Sequence, residues 1–427
     1  MKYANAYSPA PTYTHSISKR GCIAQSTQEN PACAISQPPI TEFFAEKSMT
    51  DLHSDHALMA RALQLAERGR YTTAPNPRVG CVLAHDGRIV GEGWHQRAGE
   101  PHAERLALLQ AGEMARGATA YVTLEPCGHH GRTPPCTEAL IAAGVARVVC
   151  AMTDPNPLVA GQGITQLRHA GIVTDSGMLE AAARALNPGF IKRMEQGLPL
   201  VRCKLAASLD GRTALANGES QWISSEAARR DVQRLRAESS AIVTGIGTIL
   251  ADDPSLNVRL TAAELPGMAA NMPVRQPLRV VVDSHWRLPL NARLLRLPGE
   301  TLVVGVADAP KRIAALQAAG AQIFRCATQS GRVDLEALLR ELARRGMNEV
   351  LLETGATLSG TMLAAGLIDE LVLYLAPHVM GDMALGLFQL PQLSAMNERI
   401  KLAFTEVRHI GTDIRIRARP QNWVSEN

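Results

Sequence analysis

Pro101-His102-Ala103-Glu104 and, further on, Leu124-Glu125-Pro126-Cys127-Gly128-His129-His130-Gly131-Arg132-Thr133-Pro134-Pro135-Cys136 frame the stretch around which this chain is organised. One imidazole and two thiols form a set of zinc ligands, and a catalytic zinc takes about three of them while a fourth position stays open to water. His102, Cys127 and Cys136 supply that number and no more. Cys136 falls at a helix start, where the helix dipole and a metal both favour the thiolate. Bound zinc lowers the pKa of its water toward neutrality. Glu104, two residues from the imidazole, is then placed to take the water proton and pass it on. A structural zinc site closed by His129 or His130 is the plainer alternative, but it would need four ligands and no neighbouring glutamate.

His-x-Glu followed by Pro-Cys is the pattern of the zinc-dependent base deaminases, in which such a site removes an amino group from a ring. The spacing departs from the nucleic-acid and cytidine branches, whose cysteines stand two residues apart; here eight residues separate Cys127 from Cys136. The inserted loop carries Arg132, whose planar guanidinium suits a substrate phosphate. His129 and His130, between the two thiols, are placed for substrate contact.

Working outward, the surrounding pattern alternates helices and strands. Leu58, Ala62, Leu63 and Ala66 recur at helical spacing until Gly69, and Ala74-Pro75-Asn76-Pro77 is a turn. A strand is expected over 79–84, a hairpin turn at His85-Asp86-Gly87, and a second strand over 88–94. Pro101 suits the first turn of a helix running to about Met114. Strands at 121–125, 147–152 and 171–174 then enclose a helix at 135–143 and a further one. Alternation of this kind means an α/β layered domain.

Composition bounds the rest. At 427 residues the chain is too long for one ordinary core. Aromatics make up 4% and the net charge is +4, so neither a stacking surface for single strands nor a polyanion-binding surface is advertised. A nucleic-acid deaminase with a fused accessory domain would need both, together with the short cysteine gap. Eight unevenly spaced cysteines give no disulfide framework. Cys81, Cys150 and Cys203 sit in apolar strand-like runs as buried free thiols, which points to a reducing cytoplasm. The most apolar long run, Leu371 to Leu390, is interrupted by Pro377, His378 and Asp382, so no membrane span is expected. Residues 1–48, rich in Pro, Ser, Thr, Ala and Gln, read as a disordered tail or as sequence ahead of a working start at Met49.

A second domain begins near Glu195–Pro199, which divides the chain into 49–197 and 198–427. Strands are expected at 200–207, 241–244, 278–282, 302–306, 349–353 and 371–376. Ser224 or Ser225 caps a helix lasting to about Glu238, and further helices fall at 309–319 and 333–344. Gly245-Ile246-Gly247 opens like a dinucleotide fingerprint, but position 250 is leucine, so that signal is weak. Glu353-Thr354-Gly355-Ala356-Thr357-Leu358-Ser359-Gly360-Thr361 is better: a buried strand ends, glycines admit close approach, and a helix N-terminus makes an anion site.

These motifs resemble one family. The run Leu124 to Cys136, the Pro75-Asn76-Pro77 turn, Asp154-Pro155-Asn156-Pro157, Lys204 to Arg212 and Gly218-Glu219-Ser220-Gln221-Trp222-Ile223 are similar to those of the RibD family of riboflavin biosynthesis. The resemblance runs from about residue 50 to the C-terminus. It implies a cytidine-deaminase-like α/β/α domain followed by a dihydrofolate-reductase-like α/β domain. The implied activities are zinc-dependent deamination of a diaminopyrimidinone ribosyl phosphate and NADPH-dependent reduction of the resulting aminouracil. Carried over by position, His102, Cys127 and Cys136 hold zinc, Glu104 is the acid/base, and Asn76, His129 and Arg132 hold the substrate. On the reductase side Ala206, Trp222, Thr248, Asp252, Ser284, Gly355, Ala356, Thr357, Leu358, Ser359, Gly360 and Thr361 contact NADPH. Ser220, Arg236, Leu256, Arg259 and Glu353 contact the ribosyl phosphate. Where the family commonly has serine after the first cysteine, this chain has Gly128. Small phosphorylated pyrimidines, a homo-oligomer, and neither nucleic acid nor membrane complete the expectation. A chain with one inactive half is the remaining rival; intact His102, Glu104, Cys127 and Cys136 argue against an inactive first half.

Overall fold

Two sheets, one from each half of the chain, carry the two groups of motifs. The computed structural model describes residues 49–129, 134–326, 328 and 331–421. Residues 1–48, with the expectation placed on them, lie outside the described residues, as does Arg132. The first half runs α1 (Met49–Glu67), β1 (Gly80–His85), β2 (Arg88–Trp94), α2 (Ala103–Ala111), β3 (Thr119–Val122), α3 (Cys136–Ala142), β4 (Arg147–Cys150), α4 (Gln162–His169), β5 (Val173–Ser176), α5 (Glu180–Leu186) and α6 (Pro188–Gln196). Its sheet has the order β2-β1-β3-β4-β5. β1 is antiparallel to both its neighbours and the rest are parallel.

Alternate strand residues serve opposite faces, as the two-residue pleat requires. Leu83, Ala120, Val122, Val148 and Cys150 pack beneath α2, α3 and α4. Val82, Tyr121 and Val149 pack against α1, α5 and α6. The result is an α/β/α sandwich. The turn after β1 has positive φ at both Asp86 (45°) and Gly87 (78°), the conformation a two-residue hairpin favours.

The second half supplies β6 (Leu200–Ser208), β7 (Arg212–Ala214), α7 (Glu226–Glu238), β8 (Ala241–Gly245), α8 (Ile246–Asp252), β9 (Leu278–Val282), α9 (Arg293–Arg296), β10 (Thr301–Gly305), α10 (Pro310–Ala318), β11 (Gln322–Arg325), α11 (Leu335–Arg344), β12 (Glu349–Leu352), α12 (Ala356–Ala364), β13 (Glu370–Ala376), β14 (Leu385–Gly386), β15 (Leu402–Ile410) and β16 (Asp413–Pro420). Nine of these strands form one sheet, β11-β10-β9-β8-β12-β6-β13-β16-β15. It is parallel as far as β13, and then β16 and β15 add antiparallel. Ser225 caps α7, its hydroxyl accepting from the Ala228 N–H at 3.2 Å.

The strand reading needs several corrections: β5 lies two residues later than expected, and the short strands β7 and β14 carry no pattern that marks them. β3 lies two residues earlier than expected, because Thr123 and Leu124 already belong to the loop that delivers Cys127. β11 was not read as a strand. The hairpin β15–β16 also escaped the sequence reading. Ile414, Ile416 and Ala418 on β16 do alternate with arginines, but one of these, Arg415, is itself buried and reaches Asp231 at 2.5 Å and Glu406 at 2.6 Å.

The described residues from Met49 onward pack as one compact unit with the two sheets as its lobes. Cys81, Cys150 and Cys203 are buried free thiols, as expected. Among the described residues no helix is long and apolar enough to cross a membrane.

Candidate active sites

The three residues that could hold a metal come from two helix starts and one loop. His102 is the N-cap of α2, and Glu104 lies in its first turn. This helix lies almost flush on β2, because a Cβ added at Gly93 would come within 2.3 Å of the Ala103 carbonyl oxygen. Small buried residues, Ala103, Ala107 and Ala111, complete the contact. Cys136 opens α3, and its backbone N–H donates to Cys127 Sγ at 3.3 Å. His102 Nδ1 lies 3.6 Å from Cys127 Sγ and 3.3 Å from Cys136 Sγ. Donor atoms around a tetrahedral zinc with ordinary bond lengths stand about 3.6 Å apart, so both distances from the imidazole suit that ion.

Glu104 is 3% exposed, and its Oε2 is buried with no hydrogen-bond partner. Burial pushes its carboxyl above the usual range, against the pull of His102. The two thiols divide: the Cys136 hydrogen bond first, and then His102, bring Cys127 down to about 4 against burial, while the same contact and burial push Cys136 up. An unpaired carboxylate oxygen beside two sulfurs and an imidazole is poised for a water or ligand atom that the protein itself does not supply.

A cavity of about 440 Å³ opens over this cluster and includes Asn76, His95, His102, Glu104, Cys127 and His129 in its lining. Asn76 and His129 are therefore brought to the ligand set, as expected. His95 was not foreseen. It is buried, and its Nδ1 lies 3.2 Å from the Pro101 carbonyl oxygen. A carbonyl only accepts, so the proton sits on Nδ1 and Nε2 accepts from the Asn76 amide at 3.1 Å. Asp154 and Asn156 also line the cavity. Their loop is held by buried Glu125, whose carboxylate accepts from the backbone N–H groups of Asp154 (3.0 Å), Gly161 (2.9 Å) and Gly163 (2.8 Å).

Gly128 leaves space that another residue takes. The Gln166 amide lies 2.8–3.0 Å from where a Cβ at Gly128 would stand. Its Nε2 donates to the Gly128 carbonyl at 2.8 Å.

In the second lobe, β8 and β12 are neighbours whose connections lead in opposite directions, from β8 to β9 and from β12 to β13. Their following helices pack on opposite faces: Ile246 and Ile249 of α8 in one core, Met362 and Leu363 of α12 in the other. A crevice beyond the strand ends at such a reversal is where open parallel sheets bind ligands. Gly355 is the N-cap of α12. A Cβ at Gly247 or Gly355 would meet nothing within 4 Å, and Thr244 at the end of β8 has a buried hydroxyl without a partner. Space, orphan donors and a helix N-terminus suit a phosphorylated dinucleotide.

Ala206 on β6, Thr248 and Asp252 on α8, Ser284 after β9 and Gly355–Thr361 are carried by elements bordering this strand-end edge. Arg236 is not on a solvated face. It is buried and paired with Glu353 at 2.6 and 2.9 Å, and it donates to the Asn257 carbonyl at 3.1 Å. Arg236 holds Glu353 below the usual carboxylate range although burial opposes it, and Lys204 and Arg259 add to the effect. Thus Arg236, Glu353 and Arg259 fall together, Leu256 is buried beside Asn257, and Lys204 joins them unforeseen. Ser220 and Trp222 stand on a separate loop, where Trp222 is exposed and stacks under the Arg229 guanidinium at 4.5 Å.

Comparison with known proteins matches both lobes. Residues 52–152 match the cytidine and deoxycytidylate deaminase zinc-binding region, and residues 199–416 match the RibD C-terminal domain. The chain is 51% identical to the riboflavin biosynthesis protein RibD of Escherichia coli strain K12 over 366 residues, covering 84% of this chain and 98% of that protein. It is 48% identical to the Haemophilus influenzae RibD, over 86% of this chain and 98% of that one. A solved Acinetobacter baumannii RibD superposes with a TM-score of 0.79 at 46% identity, covering 87% of this chain and all (100%) of that one. A Thermotoga maritima structure described as a diaminohydroxyphosphoribosylaminopyrimidine deaminase/5-amino-6-(5-phosphoribosylamino)uracil reductase gives 0.74 at 32% identity, over 86% and 99%.

Proposed function

The chain belongs to the RibD family of bifunctional riboflavin biosynthesis enzymes, and from that premise we propose which of its residues perform each step. The enzyme deaminates 2,5-diamino-6-(5-phosphoribosylamino)pyrimidin-4(3H)-one with zinc. It then reduces the ribosyl chain of 5-amino-6-(5-phosphoribosylamino)uracil to the ribityl form with NADPH. One observation carries the first assignment: three ligand atoms within 4.8 Å of one another, beside a buried, unpartnered carboxylate oxygen, at a cavity lined by His102, Glu104 and Cys127.

His102, Cys127 and Cys136 hold the zinc, which when bound supplies the acidity that brings water toward ionisation at neutral pH. Glu104 takes one proton of the attacking water and delivers it to the ring nitrogen, then carries the second water proton to the amino group, which departs as ammonia. Its burial suits this, because a carboxyl raised toward neutrality can both accept and return a proton. Asn76, oriented by His95, and His129 contact the pyrimidine; Arg132 takes the phosphate.

In the second lobe the Gly355–Thr361 helix start, Ala206, Trp222, Thr248, Asp252 and Ser284 hold NADPH, a hydride source when bound. Ser220, Arg236, Leu256, Arg259 and Glu353 hold the ribosyl phosphate. Residues 49–197 and 198–427 form the two catalytic domains. The enzyme works as a homo-oligomer in the cytoplasm on small phosphorylated pyrimidines, with no nucleic-acid partner.

Mass spectrometry of the diaminopyrimidinone substrate, incubated with zinc-loaded protein and NADPH, tests the assignment. A gain of about one mass unit followed by about two more is expected when amino becomes oxo and a hydride plus a proton are added. No shift from zinc-loaded protein would overturn it.

A further inference from the structure

Part of the deaminase cavity wall is held from the other lobe. Pro75, Asn76, Phe190 and Met194 line the cavity. The side chain of Asn348, at the foot of β12 in the reductase sheet, donates through Nδ2 to the Pro75 carbonyl at 2.9 Å. Its Oδ1 accepts from Arg193 Nε at 2.7 Å. Arg193 lies on α6 between Phe190 and Met194. One amide therefore ties together the two segments that carry this wall.

The tie is rigid. Asn348 is 6% exposed and uses both ends of its amide, so neither end has water as a substitute partner. A Cβ at Gly189 would come within 2.5 Å of the Asn348 carbonyl oxygen and of Glu349 Cγ, so α6 meets β12 backbone to backbone. Lys192, also on α6, pairs with Asp369 at 2.7 Å. On the other side of Asn76, Arg78 exchanges backbone hydrogen bonds with the Asn187 amide at 2.8 and 2.9 Å. Its guanidinium lies 3.2 Å from Glu349 and 3.4 Å from Glu238, both in the reductase lobe.

We propose that Asn348 is a positioning residue for deamination. From the reductase lobe it sets the Pro75-Asn76-Pro77 turn and α6 against the pyrimidine substrate, and so governs substrate binding at a site whose chemistry lies entirely in the other lobe. The inference rests on reading this cavity as the deaminase site. Asn348 touches neither zinc ligand nor Glu104 in any hydrogen bond described, so its influence falls on binding rather than on proton transfer.

The test uses the full-length zinc enzyme with Asn348→Ala and Asn348→Asp. The aspartate keeps the shape and the Arg193 partner but turns a donor into an acceptor against the Pro75 carbonyl. KM for ammonia release should rise about tenfold in both, with kcat within about twofold, the signature of lost uniform binding. Zinc content and the reductase KM for NADPH should stay unchanged. An unchanged deaminase KM in both variants would overturn the proposal. So would a parallel loss of both activities that tracks a lowered Tm in Asn348→Asp, since that marks packing alone. Glu104→Gln, measured in the same series, tests the site itself: loss of its kcat beside unaltered Asn348 variants would sink the positioning role and leave the site standing.

Discussion

At the scale of the residue, the deaminase half turns on one carboxylate kept away from water. Glu104 has a buried oxygen without a protein partner and a carboxyl raised by burial. Glu104→Gln keeps the shape and removes the proton carrier. Ammonia release should fall by about 100- to 10,000-fold in kcat, the usual worth of general acid–base catalysis. Reduction of pre-deaminated substrate should continue; stopped-time assays of ammonia and of NADPH consumption separate the two. Joint loss of both activities would contradict two independent sites. The cluster of His102, Cys127 and Cys136, with Glu104 beside it, was legible because residue types and local spacing carry it. His95 was not, since a lone histidine after a strand looks the same whether it faces solvent or orients Asn76.

At the scale of the element, the start of α12 carries the cofactor argument. Gly355 caps that helix with φ −77°, a conformation open to any residue, and a Cβ there would meet nothing within 4 Å. Gly355→Asp is therefore tolerated by the fold, and aspartate is itself a good N-cap. Its carboxylate would occupy the anion position and repel a phosphate, a juxtaposition worth several kcal/mol when close. KM for NADPH should rise at least about tenfold while ammonia release is unaffected. Steady-state kinetics of both reactions in one preparation checks this. An unchanged KM would move the cofactor phosphate away from this helix. The element itself was readable as a buried strand ending before glycines, whereas β16 was not. Ile414, Ile416 and Ala418 alternate there with arginines, but Arg415 turns inward to Asp231, a polar face that only the tertiary partner explains.

At the scale of the whole molecule, the lobes are joined by buried ion pairs. Arg78 of the first lobe reaches Glu349 and Glu238 of the second, and within the second lobe Arg202 bridges Glu349 at 2.7 Å and Glu370 at 2.8 Å. Burial works against the Glu238 carboxylate, but Arg202 first, then Arg78, Arg70 and Arg417, hold it down at about 2. An unfolded glutamate titrates near about 4.3. With the folded value below the unfolded one, the contribution is complete above about pH 4.3 and is lost as pH falls toward about 2. Glu238→Gln should lower Tm at neutral pH and flatten the fall of Tm between about pH 4.5 and 2. Thermal melts across that range decide it; parallel curves for both proteins would remove Glu238 from the acid sensitivity.

By itself the sequence determined the α/β class and the His/Cys/Cys set that fits zinc, and it pointed to Glu104 and to the Gly355 helix start. Each of these is written in residue type and short-range spacing, where local stereochemistry and metal chemistry leave few choices. Tertiary structure alone decided what depends on distant partners. It buried Arg236 of α7 against Glu353, just past the end of β12, and turned His95 onto Asn76. It also brought Asn348 of one lobe to Pro75 of the other. Those contacts join residues with no common period and no fixed separation along the chain, and only the packing of both sheets brings them within hydrogen-bond reach.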